Sequence, residues 1–211
     1  MDRILFIVPP NISFDSYTHP TFNERIVAKK TGNYGSVVSD IPLGALSMSS
    51  FLKKHTKADV KLIDFNVVLN KMDSFEFNSF SDLYHSFISS KKWVDYAPNI
   101  IGISALFTSS YYNMLDVARI SRHIFPNALI LAGGGVPTNM YVEIFRDSVC
   151  FDAVCYGEGE KPLLGLTEAN DKKGFLKNHL SWITREKVEN KKFKLDFIEN
   201  LDEIPFLDFD I

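Results

Sequence analysis

Residues 100–135, IIGISALFTSSYYNMLDVARISRHIFPNALILAGGG, decide the fold. The run 100–104 (IIGIS) is short and apolar throughout, as expected for a strand covered on both faces rather than one with a wet side. Residues 111–125 read as a helix, and Pro126 ends it. The run 128–132 (ALILA) is a second strand of the same kind and leads directly into Gly133, Gly134 and Gly135. A strand, a helix and a strand at this spacing form a βαβ unit, whose strands lie parallel.

The same rhythm extends in both directions. Upstream, 3–8 (RILFIV) is an apolar run closed by Pro9 and Pro10, and 60–65 (VKLIDF) is another strand. Between them a helix begins after Pro42 in PLGALSMSSFLKKH, with Lys53, Lys54 and His55 favourable at its negative end. Downstream, 138–147 reads as a short helix and 152–156 (DAVCY) as a fifth strand. Gly157 follows, then a helix over 160–169. Five short strands alternating with helices predict an α/β fold. We expect a flavodoxin-like (Rossmann-like) doubly wound parallel sheet of five strands, order 2-1-3-4-5.

This domain occupies residues 1–170, with loop insertions at 11–40 and 66–98. The first insertion shows no clear period. The second carries one helix near 81–92, capped by Ser81. Residues 171–211 form an extension in which 180–184 (LSWIT) has room for a short extra strand. From Phe197 onward the chain reads as an extended linker.

Composition narrows the function. The 211 residues are 45% hydrophobic and 23% charged, with net charge −3, so no global basic field invites nucleic acid or an anionic membrane. Lysines cluster at Lys172, Lys173, Lys177, Lys187, Lys191, Lys192 and Lys194, but acidic residues interrupt them, as on a solvated surface. No apolar run approaches the roughly 20 residues of a membrane helix, and the N-terminal run is too short for a signal peptide. A cytoplasmic location is the expectation. Cys150 and Cys155 are too few for a disulfide framework or a four-thiolate metal site, and they read as ordinary thiols.

In an open parallel sheet, ligands bind beyond the carboxyl ends of the strands. Here those ends are 9–11, 104–108, 133–138 and 156–160. Pro9, Pro10 and Asn11 stand where a flavin-phosphate loop would need Ser, Thr and Gly. Ser104 stands where a phosphoaccepting domain would need Asp. Neither a G-x-G-x-x-G turn after the first strand nor a G-x-x-x-x-G-K-[ST] loop occurs. These exclusions leave a ligand held by backbone, small residues and hydroxyls.

Ser104–Ala105–Leu106, a spacer of 26 residues (107–132) and then Gly133–Gly134 resemble the S-x-L…GG pattern of cobalamin-binding domains. The segments PLGALSMSSFLKKH, IGIS, GGGVPT and YGEGEKPLLGL look like those of cobalamin-dependent radical S-adenosylmethionine (SAM) proteins. NLDEIPF (200–206) is similar to the linker into their iron–sulfur barrel. The resemblance spans essentially the whole chain. It implies cobalamin bound by Pro9, Pro10, Ser104, Leu106, Thr108, Gly133, Gly134, Gly135, Pro137, Thr138, Tyr156, Gly157 and Glu158. The dimethylbenzimidazole tail would lie in the crevice at the strand ends, where Ser104 donates to its free nitrogen and the glycines leave it room.

Two family elements are absent. There is no D-x-H-x-x-G after the first strand, since Asp15 and His19 lie four apart without the following Gly. The resemblance therefore implies base-off, His-off cobalamin. There is also no C-x-x-x-C-x-x-C, so the [4Fe–4S] cluster and SAM would belong to a downstream radical SAM domain of the intact protein, a methyltransferase or cyclase. No catalytic residue and no metal ligand is assigned to this chain. The competing reading is a cobalamin-free interaction or substrate-docking module of the same fold. An independent small-molecule enzyme lacks any nucleophile–base constellation.

Overall fold

The computed structural model describes residues 1–22 and 25–211. The chain begins with β1 (Arg3–Val8), α1 (Phe14–Thr18), β2 (Ile26–Lys29) and β3 (Gly32–Gly35). It continues through α2 (Leu43–His55), β4 (Asp59–Asp64), α3 (Phe65–Lys71), α4 (Phe80–Ile88), α5 (Lys91–Tyr96) and β5 (Ile100–Ser104). Then come α6 (Tyr111–Ile124), β6 (Leu129–Gly133), α7 (Gly135–Asn139), α8 (Tyr141–Asp147) and β7 (Ala153–Cys155). Finally, α9 (Glu160–Glu168), α10 (Lys172–Asn178) and β8 (Trp182–Ile183) complete the order.

The main sheet runs β4-β1-β5-β6-β7-β8. Its first five strands are parallel and have the expected order 2-1-3-4-5. The count is six rather than five, because β8 pairs antiparallel to β7. The reason is edge protection: β7 is only three residues long, and LSWIT returns along its open side, where Tyr156 N–H donates to Ser181 O at 2.8 Å.

Period-two alternation splits the strands between two cores. Leu5, Ile7, Ile101, Ile103, Ile130, Ala132 and Val154 face the larger one, covered by α3, α4, α6 and α8. Ile4, Phe6, Ile100, Leu129, Leu131, Ala153 and Cys155 face the smaller one, covered by α2, α9 and α10.

Four further expectations need correction. Residues 11–40 are not without structure: they hold α1 and the β2–β3 hairpin. Aromatic stacking builds this region, with Tyr17 against Tyr34 at 5.0 Å and against Phe75 at 5.0 Å between centroids, and this leaves no period in the sequence. Residues 66–98 lie in three helices rather than one, because Ser90 breaks the pattern between α4 and α5. Ser79 caps α4, accepting from Asp82 N–H, while Ser81 donates to Asp116 at 2.9 Å. Residues 135–147 form two helices that meet at Met140. The tail is not a free linker: Ile198 is buried, and Asp208 accepts from Ser49 at 2.6 Å and Lys53 at 2.5 Å.

Arg122, near the end of α6, ties the central strands together. It donates to the carbonyls of Pro126, Ala128 and Cys150, and to Asp152 Oδ2 at 2.6 Å. The same Asp152 oxygen accepts the Ile130 N–H at 2.7 Å. Arg122→Ala leaves these acceptors unmatched. After allowance for partial exposure, it should lower unfolding free energy by about 2 kcal/mol, read as a fall in urea midpoint with an unchanged slope.

Candidate functional site

The smaller core is incomplete at the carboxyl end of the sheet. On that face β5 presents Ile100, Gly102 and Ser104, and β6 presents Leu129, Leu131 and Gly133. Strand register sets Ser104 beside Gly133. Three small residues together leave a slot of about 210 Å³. That volume is more than ten times the roughly 15 Å³ one water needs on this measure. Phe6, Ile100 and Leu131 line its depth, Gly44 and Met48 of α2 one wall, and Glu160 and Leu163 of α9 the other, with Trp182 and Cys155 at the side. The lining is mostly apolar.

A second space of about 280 Å³ lies over the ends of β1 and β5, lined by Val8, Pro9, Val38, Ile41, Leu106 and Phe107 among others. The two spaces share Gly44, Ser104 and Gly134. The slot therefore opens onto a shelf. Leu106 and Phe107 stand 66% and 42% exposed beside it, apolar side chains with water as their present neighbour.

The strand-end loops are clasped by backbone. Ala105 N–H donates to Gly133 O at 3.0 Å, and Val136 N–H donates to Ala105 O at 3.1 Å. Gly134 sits at φ +98°, and a Cβ there would come within 2.7 Å of Ala105 O. Its need for glycine is thus met inside the protein. Gly133 differs: a Cβ there would lie 4.0 Å from Cys155 Cβ, pointing into open space. Gly102 lets the Phe6 ring lie flat on the floor, since a Cβ would meet that ring at 2.8 Å. Gly159 likewise admits Met48, bringing α2 and α9 together.

Of the residues expected from sequence, Ser104, Gly133, Gly134, Gly157 and Glu158 line the slot, and Pro9 and Leu106 line the shelf. The Ser104 hydroxyl makes no hydrogen bond to any described residue. Pro10, Thr108, Gly135, Pro137, Thr138 and Tyr156 line neither space. Thr138 works one layer back: its hydroxyl accepts from Gly157 N–H at 3.3 Å and donates to Cys155 O at 3.4 Å. The Tyr156 ring packs on Phe193, and the Pro10 carbonyl accepts from Asn113. Thr108 is exposed on a short 3₁₀ turn. The Glu158 carboxylate accepts the Ile198 N–H at 3.2 Å, and Leu195 lies over Gly157.

Sequence reasoning missed Phe6, Gly44, Met48, Gly102, Leu163 and Trp182; it placed Glu160 in a ligand-binding loop without naming it among the binding residues, and it read Cys155 as an ordinary thiol. Gly102 was findable, as a glycine two positions before Ser104 on the same strand face. The Cys155 thiol is pushed up to about 12, first by burial and then by the charges of Glu160 and Asp196, so it stays neutral at physiological pH. No histidine lines either space. His19 lies at the end of α1, mostly exposed, 3.2 Å from Asp15. Among the described residues no helix is long and apolar enough to cross a membrane.

Two adjacent glycines should separate under mutation. Gly134→Ala should cost about 2 kcal/mol in unfolding free energy, through positive φ and the clash with Ala105 O. Gly133→Ala should stay within about 0.5 kcal/mol of the parent. Chemical denaturation of both variants checks the contrast.

A family model described as B12 binding domain matches residues 31–167. An uncharacterized methyltransferase of Pyrococcus horikoshii is 30% identical over 211 residues, which is 99% of this chain and 38% of that protein. The anaerobic magnesium-protoporphyrin IX monomethyl ester cyclase of Rubrivivax gelatinosus is 30% identical over 79 residues, 37% of this chain and 14% of that protein. The corresponding cyclase of Cereibacter sphaeroides is 28% identical over 96 residues, 46% of this chain and 14% of that protein. The chain thus spans well under two thirds of the length of these relatives. The family match covers more than half of the chain, from β3 into α9, and takes in the clasp, the slot apart from Phe6 and Trp182, and most of the shelf; the chain belongs to the B12-binding domain family.

Proposed function

We propose that the domain holds cobalamin with its nucleotide tail in the slot and its corrin ring on the shelf, the tail base being off cobalt and no histidine replacing it. One observation carries this: a mostly apolar slot, floored by Gly102, Ser104 and Gly133, opens onto an apolar shelf and holds a serine hydroxyl without a protein partner. The fit is chemical. Dimethylbenzimidazole is flat and apolar apart from one acceptor nitrogen, and Ser104 supplies the matching donor. Phe6, Leu131 and Leu163 exclude water from around the base, while Leu106 and Phe107 cover apolar ring surface. None of the five histidines lies at the shelf, which supports the His-off reading.

When bound, cobalamin supplies a reducible cobalt able to carry a methyl group. The protein's part is to hold the tail away from the metal and to keep the shelf open. The lengths of the relatives support a longer protein in which a radical SAM domain, with its [4Fe–4S] cluster and SAM, works beside this one in methyl transfer or a cyclase-type reaction. The match to a methyltransferase and two cyclases leaves both reaction classes in play.

The test is hydroxocobalamin retention through desalting, followed by the visible spectrum. Wild type should retain it in the base-off form. Gly133→Leu, which projects a side chain into the slot from a backbone that tolerates one, should stay folded and lose at least tenfold in affinity. A well-folded wild type that leaves the column colourless, also in a longer chain, sinks the reading in favour of a docking module.

A further inference from the structure

The motif Glu158–Gly159–Glu160 divides into two different jobs. The Glu158 side chain is exposed and engaged with the tail of the chain, at Ile198 N–H. Glu160 is held differently. It is 9% exposed and lines the slot. Its Oε1 accepts from the Ser47 hydroxyl of α2 at 2.7 Å. Its Oε2 has no hydrogen bond and no cation partner among the described residues and keeps some accessible surface. A carboxylate oxygen that lines a mostly apolar pocket and has no protein donor is open to a donor carried by whatever enters that pocket.

Its depth says which donor. Glu160 opens α9 directly after the loop that leaves β7, so it stands level with the strand ends at Ser104 and Gly133. Leu163 is one turn farther in, about 5 Å along the helix. A nucleotide tail enters base first. On that reading the base would occupy the apolar depth over Gly102, and the sugar would come to rest at the strand ends. Dimethylbenzimidazole carries no N–H or O–H, so the donors that reach this level are the hydroxyls of the ribose.

We propose that Glu160 is a sugar-binding residue of the slot, its free Oε2 accepting a hydrogen bond from a ribose hydroxyl of the cobamide nucleotide while Ser47 holds the other oxygen in place. The assignment rests on the slot being the cobalamin-tail site. It parallels the acidic residue that takes a ribose hydroxyl in dinucleotide folds, but here from a helix start facing a base buried in the core. Ser47 is a positioning residue, fixing the carboxylate across the gap between α2 and α9.

Equilibrium dialysis tests it with hydroxocobalamin and with dicyanocobinamide, which lacks the nucleotide, against wild type, Glu160→Ala and Glu160→Gln. Hydroxocobalamin should bind Glu160→Ala about tenfold more weakly than wild type, with Glu160→Gln in between. Dicyanocobinamide should bind weakly and equally to all three. An unchanged hydroxocobalamin affinity overturns the assignment, and so does an equal proportional loss for both ligands, which marks a structural role. A loss seen only with a cobamide bearing adenine, and not with hydroxocobalamin, overturns it in favour of a contact to the base edge. The near-isosteric Gln variant, checked by thermal melting, keeps the test valid if Ala at this position fails to fold. Failure of wild type to bind hydroxocobalamin removes the tail-site reading and this assignment together, whereas binding without any effect at position 160 removes the assignment alone.

Discussion

The clasp between the ends of β5 and β6 is the constraint on which the rest depends. Ala105 N–H reaches Gly133 O, Val136 N–H reaches Ala105 O, and Gly134 passes so close to Ala105 O that no Cβ fits. Two backbone bonds and one positive φ fix where the strands stop and where α7 begins. They also fix Ser104 beside Gly133, which sets the mouth of the slot. The glycine pair thus serves two purposes with different physics. Gly134 is needed by the fold, and Gly133 keeps the slot open.

The slot breaks local rules that the rest of the sheet obeys. Gly102 sits mid-strand, where glycine costs about 0.5–1 kcal/mol relative to alanine. The slot's lining also gives up packing partners on one side. A buried carboxylate and an unpartnered hydroxyl are added to this. Departures from local consistency gathered in one place are the signature of a ligand site rather than of a poorly packed core. Elsewhere both cores are continuous, from Ile4 and Leu5 through Val154.

The tail is held against the domain. Leu195 over Gly157, Ile198 N–H on Glu158, Lys54 on the Glu203 carbonyl and Asp208 on Lys53 and Ser49 lay residues 195–208 along α2 and the loop after β7. Both elements contribute lining residues to the slot. Residues 195–208 therefore run along the slot's own border, in contact with its walls.

The sequence by itself determined the five parallel strands and their order, because two-sided burial makes each strand a short apolar run and right-handed crossovers allow few arrangements. It also singled out Ser104, Gly133 and Gly134 through the resemblance their spacing carries, and the structure sets all three around one slot. Only the tertiary structure decided the rest. The aromatic packing of Tyr17, Tyr34 and Phe75 has no period, so the β2–β3 hairpin was invisible. Edge pairing of β8 depends on β7 being short and open, which no local pattern records. The division of labour between Glu158 and Glu160 turns on which way each side chain points. Both line the slot, but the Glu158 carboxylate takes the chain's own tail and that of Glu160 takes Ser47 of α2, and a linear motif does not say which does which.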